Sequence, residues 1–245
     1  MTNVISFSLY GNSLKYQHGA VLNAKGARQY YPHWNCRFYC GESISESTKI
    51  KIRSFGAETV DVDGREDPSA MFWRFRPVLE NGINTLIVRD CDSRFSDREL
   101  FAVNEWLSSE SNLHIMRDHP SHNAPILGGL WGAKTDVFDL VASGLENYRP
   151  RGEYGEDQRF LARSLYSSQR QSSFVHDSFF WREPQRKKFP TKRISGFYVG
   201  ESVDENEYVS NSLREQVVRI ERSFIHRTYV GIRDYMDALI RNDLS

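Results

Sequence analysis

The chain has no net charge, little cysteine, no long apolar run and no low-complexity segment. Lysine plus arginine and aspartate plus glutamate stand at 32 each among 245 residues. A balanced chain has no built-in pull towards nucleic acid or an anionic membrane, so no nucleic-acid partner is expected and any anion site must be local. No apolar run reaches the roughly 18 residues of a membrane-spanning helix, so no transmembrane segment is expected. The opening "MTNVISFSLYGNSLKY" lacks a basic region followed by a long apolar one, and reads as a first strand rather than a signal peptide. The three cysteines, Cys36, Cys40 and Cys91, are odd in number and form no CxxC pair. That usage fits a reducing cytosol, and a cytoplasmic location is expected.

What is present is 39% hydrophobic and 26% charged residues, enough for a sizeable core. Strand-like and helix-like runs alternate. Val4–Leu9 is apolar and ends at the turn signal "YGNS"; a helix over about Leu14–Tyr30 follows. "CRFYC" and "AETVDVDG" read as strands, with a serine-capped helix between them that Gly56 closes. "PSAMFWRFRPVLENG" reads as helical and interrupted at Pro77, and the strand Thr85–Arg89 comes next. Ser96 and Glu99 have the spacing of a capping box, ahead of a helix with Leu100, Val103 and Leu107 on its apolar face. This βαβ rhythm predicts an α/β fold with a mostly parallel sheet. The basic stretch "REPQRKKFPTKR" reads as a separator before a helical tail carrying Leu213, Val217, Ile220 and Phe224.

The most informative stretch is "NTLIVRDCDSRFSDRE". A run of β-formers ends in two carboxylates, Asp90 and Asp92, with Arg89 and Arg94 beside them. Open α/β sheets bind ligands at the carboxyl ends of strands. Residues two apart on an extended chain point the same way, so the two carboxylates repel unless a cation lies between them. Mg²⁺ or Mn²⁺ suits such oxygen donors and bridges them to phosphates, to which the arginines add contacts. The plainer reading of a bare D-x-D is a solvated turn before a capped helix.

Two further segments carry unusual chemistry, "HIMRDHPSHNAPILGGLWGAKTD" and "GEDQRFLARSLY" leading to "SFVHDSFF". Together they resemble nucleotide-sugar-dependent glycosyltransferases of the GT-A fold, of the bacterial or viral polysaccharide-biosynthesis type. The resemblance is carried over residues 86–180 by R-D-x-D-S-R, E-W, H-x-M-R-D-H-P-x-H, P-I-L-G-G-x-W-G, E-D-Q-x-F-L and H-D in that order. It implies a Rossmann-like GT-A sheet with a C-terminal helical tail. Residues 1–200 would be the catalytic domain, its nucleotide-sugar half about 1–95 and its acceptor half about 96–200, with 201–245 as an extension.

The resemblance also implies roles. Asp92 would ligate Mn²⁺ or Mg²⁺ directly, Asp90 would contact the metal or the ribose, and His176 would complete the metal site. Arg74, Arg89 and Arg94 would contact a UDP- or GDP-sugar donor, with Tyr10, Gly11 and Asp63 near the base. His119, Gly128, Gly129 and Trp131 would line the substrate site, the glycines by close backbone approach and Trp131 as a face for a sugar. Asp157, or Glu156, is the candidate base on the hydroxyl of a glycan acceptor, with Gln158 near the anomeric carbon; inversion and retention both fit the motif. Other readings stay open. Asp118, His119 and His122 could make a zinc site, although Pro120 breaks the helix that such spacing needs. A sugar nucleotidyltransferase would want a Gly-rich first loop, where this chain offers only Gly11 and Lys15. A non-catalytic carbohydrate-binding module would use the aromatic residues, 13% of the chain.

Overall fold

The structure is a computed structural model and describes residues 2–180 and 182–223. Seven strands form one sheet: β1 (Thr2–Leu9), β2 (Asn35–Cys40), β3 (Glu58–Asp61), β4 (Ile83–Arg89), β5 (Leu113–Arg117), β6 (Leu130–Lys134) and β7 (Phe174–Asp177). Their order across the sheet is β3-β2-β1-β4-β6-β5-β7. β6 runs antiparallel to β4 and β5, and all other pairs are parallel. The mostly parallel α/β architecture expected from the alternating pattern is the one observed. The chain leaves β1 on one side for β2 and β3, then returns on the other side for β4. That reversal opens a crevice beyond the carboxyl ends of β1 and β4, where open α/β sheets bind ligands.

Alternation along the strands supplies two apolar faces. Ile5, Phe7, Leu9, Ile87 and Met116 pack with the alanines of α1 (Leu14–Tyr30) and with Val103 and Trp106 of α3 (Asp97–Leu107). α2 (Glu46–Ser54) adds Ile52 to this side, and the Ser45 side chain caps it by accepting from Thr48 N–H. Val4, Leu86, Val88, Ile115 and Trp131 face the other way. They meet Phe72 and Phe75 of a 3₁₀ segment (Pro68–Leu79), Val141 of α4 (Phe138–Asn147) and Phe160 of α5 (Glu156–Leu161). The 3₁₀ form suits its sequence, because Pro77 lies inside it and has no N–H to donate. The helix after α5 widens into a π turn (Ala162–Tyr166) and ends in α6 (Ser167–Gln169).

The three cysteines are buried and free. Burial pushes the Cys40 thiol up to about 12, and raises Cys36 and Cys91 as well. No helix among the described residues is long and apolar enough to cross a membrane.

The basic stretch does not act as a separator. Lys187 N–H donates to Val175 O and Lys187 O accepts from Asp177 N–H, so the segment runs along the free edge of β7. Beyond it the chain returns to Asp118 at the end of β5. Asp118 is fully buried and accepts from Arg98 Nε at 2.7 Å, Arg98 Nη2 at 2.9 Å, Arg193 Nη2 at 2.7 Å and Val199 N–H at 2.9 Å. Burial works against its charge, but these donors hold its pKa below the usual carboxylate value. α7 (Asn211–Arg222) includes Leu213, Val217 and Ile220 of the expected tail, with Val217 buried; Phe224 lies outside the described residues.

Removing the Asp118 carboxylate leaves the buried Arg98 without its counter-charge and Arg193 with only Glu221, and breaking a buried pair in this way typically costs about 3–5 kcal/mol. Asp118→Ala is expected to lose stability on that scale in urea denaturation. Ser178→Ala, which removes only one hydroxyl bonded to the same carboxylate, is expected to stay within about 1 kcal/mol.

Candidate active site

The crevice is organised around Arg74. Ser8, near the end of β1, fixes the 3₁₀ segment by accepting from Arg74 N–H at 3.0 Å and donating to Met71 O at 3.3 Å. The Arg74 side chain, 4% exposed, then reaches two carboxylates. Nη1 pairs with Asp90, and Nη2 is 2.6 Å from Asp157 Oδ2. Desolvation disfavours the guanidinium charge, and the two aspartates more than offset it. Arg74 Nε is buried without a hydrogen-bond partner among the described residues.

Two cavities meet at this ion triad. One, of about 90 Å³, is lined by Ser8, Tyr10, Tyr16 and Cys91 together with Arg74 and Asp90. The other, of about 110 Å³, shares Arg74 and Asp90 and adds Gly128, Tyr154, Asp157 and Gln158, with Gly129 and His122 also at its wall. Tyr10 packs edge-on to Trp73 at 5.8 Å, and burial raises its hydroxyl to about 12. It is therefore a neutral wall. His122 accepts at Nδ1 from Asp118 N–H at 3.2 Å, which puts its proton on Nε2. Burial pushes its pKa down to about 3, so the ring is neutral at physiological pH.

Gly128 and Gly129 have no room for a side chain, because two carboxylates approach their backbone closely. A Cβ on Gly129 would lie 2.0 Å from Asp90 Oδ2, and one on Gly128 would lie 2.0 Å from Asp157 Oδ2. Both precede β6, whose reversed direction brings its start beside the end of β4, with Leu130 opposite Arg89. The two carboxylates thus lie against bare backbone.

Asp92 has a different set of partners. Beyond Arg89 the backbone turns, so strand alternation does not extend to Asp92 and the two carboxylates take separate cations. Lys15 Nζ, in the first turn of α1, is 2.7 Å from Asp92 Oδ2. Ser202 donates to the same oxygen at 2.9 Å, and Lys15 donates to Ser202 Oγ at 2.7 Å. Burial works against the Lys15 charge, but Asp92 raises its pKa above the ordinary lysine value. Residues 200–203 lie across this turn, with Val203 N–H donating to Asp92 O at 2.8 Å and Ser202 bridged to Ser93.

Several expected site residues lie elsewhere. His176 does not join the carboxylates. Alternation in β7 turns its ring towards α3, where Nδ1 is 2.8 Å from His114 Nε2 and Nε2 is 3.1 Å from Glu105. Among the described residues no group of three or more His, Cys, Asp or Glu side chains is placed to hold a metal. As arranged, neither Asp90, Asp92 and His176 nor Asp118, His119 and His122 come together as a three-ligand set. Trp131 is fully buried, edge-on to Phe75 at 5.6 Å, with its indole N–H donating to Gly128 O, so it has no face for a sugar. His119 packs on Tyr198 at 4.3 Å, and its Nε2 is 3.2 Å from Leu213 O.

Glu156 accepts from the backbone N–H groups of Arg151, Gly152 and Glu153 and from Tyr148 Oη, so it shapes the loop before α5. Gly11, at φ +76°, donates its N–H to Ser43 Oγ and Glu66. Asp63 is exposed and lines neither cavity. Arg94 clamps Cys91 O and Ser93 O and pairs with Glu207. Arg89 points to the α1–α3 side, donating to Gly129 O at 3.0 Å and lying 2.9 Å from Glu99. The capping box is therefore half made: Ser96 caps Glu99 N–H, while the Glu99 carboxylate faces Arg89.

Tyr16, Met71, Tyr154 and Ser202 have no role in the sequence reading, and Lys15 and His122 enter it only under the nucleotidyltransferase and zinc readings. Lys15 and Tyr16 open the first helix after β1, and Tyr154 stands two residues before "EDQ". Those positions were a usable signal. Nothing in the local sequence marks Ser202, whose place depends on the return of the chain after Asp118.

No protein-family model matches the chain, and no curated protein matches it in sequence. Among solved structures it is similar to a glycosyltransferase involved in glycosylation of the major capsid of PBCV-1. The identity is 14% over 72% of this chain and 82% of the other, at a TM-score of 0.48. It is also similar to glucosyl-3-phosphoglycerate synthase from Mycobacterium tuberculosis, solved with Mn²⁺, uridine diphosphate and phosphoglyceric acid (12% identity, 74% and 71% of the chains, TM-score 0.48). A protein described as a glucose-1-phosphate thymidylyltransferase from Bacillus anthracis is similar to the same degree (13%, 72% and 88%, 0.48). At such identities and TM-scores, function has to be read from the site itself.

The Arg89–Glu99 pair generates a pH test. Burial raises the Glu99 carboxyl to about 7, with Arg89 opposing the rise. In the unfolded chain the group ionises near its ordinary value of about 4.3. Between these values the unfolded state gives up a proton that the folded state keeps, so stability falls as pH rises through that window. The loss is on the order of 3 kcal/mol by pH 8. Glu99→Gln is expected to remove this slope in urea denaturation series at pH 5 and pH 8.

Proposed function

We propose that the protein is a nucleotide-sugar-dependent glycosyltransferase of the GT-A type, transferring a sugar from a UDP- or GDP-sugar to a glycan acceptor. One observation carries the reading: Arg74 binds Asp90 and Asp157 together at the β1–β4 crevice, and two cavities share Arg74 and Asp90 in their walls. The cavity at Ser8, Tyr10 and Tyr16 takes the donor nucleotide, with Tyr10 against the base. The cavity at Gly128, Tyr154 and Gln158 takes the reacting sugar and the acceptor hydroxyl.

Asp90 and Asp92 offer hard oxygen donors of the kind that would hold Mn²⁺ or Mg²⁺ together with a phosphate ligand. Such an ion, when bound, neutralises charge on the departing nucleoside diphosphate. Arg74 shares that task, because it lines both cavities and its Nε is free to donate among the described residues. Asp157 works on the acceptor side. It takes the acceptor proton if configuration inverts, and it stabilises the oxocarbenium charge if configuration is retained. His122 presents a neutral Nε2–H as a donor. A soluble, cytoplasmic role in polysaccharide biosynthesis belongs to this reading.

A second reading, a sugar nucleotidyltransferase, is favoured by Lys15, a cation at the start of the first helix beside Asp92. Thermal shift with nucleoside diphosphates, nucleotide sugars and nucleoside triphosphates, each with and without Mn²⁺, separates the two. Stabilisation by UDP- or GDP-sugar that EDTA abolishes is expected; a response to triphosphates alone would favour nucleotidyl transfer.

Asp157→Asn is expected to lower kcat by roughly 10²–10⁴-fold with donor binding kept, and NMR of the product anomer assigns its role. Near-normal kcat would leave Asp157 with only its ion pair to Arg74. Asp92→Asn is expected to abolish the Mn²⁺ dependence of nucleotide binding, seen as loss of the Mn²⁺ increment in thermal shift.

A further inference from the structure

We infer that Lys15 and a divalent cation compete for Asp92, and that Lys15, once displaced, binds the diphosphate of the nucleotide. The inference rests on the reading of Asp90 and Asp92 as the metal-binding pair.

The geometry makes Lys15 a resident cation. Its Nζ is 2.7 Å from Asp92 Oδ2, the position from which a carboxylate oxygen would serve a metal. Ser202 Oγ contacts both Nζ and Oδ2, closing a small ring of three polar groups. A hard divalent ion and an ammonium group cannot both occupy one oxygen at contact distance without strong repulsion. One of them has to leave. Asp92 retains 17% side-chain exposure and Lys15 27%, so the pair is open enough for exchange.

The destination of Lys15 follows from its surroundings. Lys15 lies 5.2 Å above the Tyr16 ring, and Tyr16 lines the cavity that reaches Asp90 and Arg74. α1 begins with no acidic residue in its first turn and no side-chain cap at Ser13. A 17-residue helix with such an N-terminus favours an anion there. A flexible lysine stem in that turn can swing from a carboxylate to a phosphate without backbone movement. Lys15 thus keeps Asp92 compensated before the cation arrives, and supplies a second positive charge to the diphosphate afterwards.

The exchange makes opposite predictions for two ligands measured on the same protein. Calorimetric titration of Mn²⁺ into the protein alone is expected to show roughly tenfold tighter binding for Lys15→Met than for wild type, because the competitor is gone. Titration of UDP and GDP at saturating Mn²⁺ is expected to show roughly tenfold weaker binding for the same variant. Lys15→Gln, which can still bond to Ser202, should follow Lys15→Met, and Lys15→Arg should stay near wild type in both titrations. Circular dichroism checks that each variant is folded. Unchanged or weaker Mn²⁺ binding in Lys15→Met and Lys15→Gln overturns the competition. Tighter Mn²⁺ binding with unchanged nucleotide affinity overturns the transfer of Lys15 to the diphosphate. Absence of Mn²⁺ binding in wild type and variants, with UDP or GDP present or absent, overturns the metal reading of Asp92 itself.

Discussion

The crevice depends on one guanidinium group. Arg74 is separated from Asp90 by 16 residues and from Asp157 by 83, yet it holds both within ion-pair distance in a buried position. Its planar fork suits two separate carboxylates in a way that a lysine ammonium would not. Without it, two aspartates would face each other across bare glycine backbone, and their repulsion would drive them apart or protonate one. Ser8 holds the Arg74 backbone, Gly128 and Gly129 make room for its partners, and the aromatic residues of the 3₁₀ segment seal the side away from the crevice.

A second buried charge network holds the opposite half together. Arg117 pairs with both Asp177 and Glu183, all three with no side-chain exposure. Asp118, the next residue, faces the other side and gathers Arg98 and Arg193. Adjacent residues at a strand end thus fasten opposite faces of the sheet. Because the segment after β7 is fixed there, residues 200–203 reach Asp92. The crevice floor comes from early strands, and part of its cover comes from late chain.

Much of the architecture was legible because it rests on local rules. The first helix, the β4 strand end and the Ser96 cap depend on apolar periodicity and capping chemistry, which neighbouring residues encode. Arg74, Asp90 and Asp157 were also readable as chemistry-bearing residues. Their mutual contact was not, because it depends on how the chain crosses the sheet. His176, Arg89 and Trp131 show where motif reading ran out. Each stands in or beside a segment with the expected pattern, and strand alternation sends each side chain into the core. Glu156 and Asp157 are neighbours in one motif, yet one binds loop amides and the other faces Arg74. Their types are alike, and the helical rotation of about 100° per residue at the start of α5 separates their directions.

The buried state of the three cysteines has a practical consequence. Thiol reagents attack the thiolate, and burial holds these thiols protonated and out of reach. The folded protein is therefore chemically silent towards maleimides at neutral pH as far as its native cysteines are concerned. A single cysteine engineered on the exposed surface would take a fluorophore or spin label selectively, with no need for a cysteine-free background. The native thiols would in turn become reactive only when the sheet opens, which makes their labelling rate a clock for unfolding.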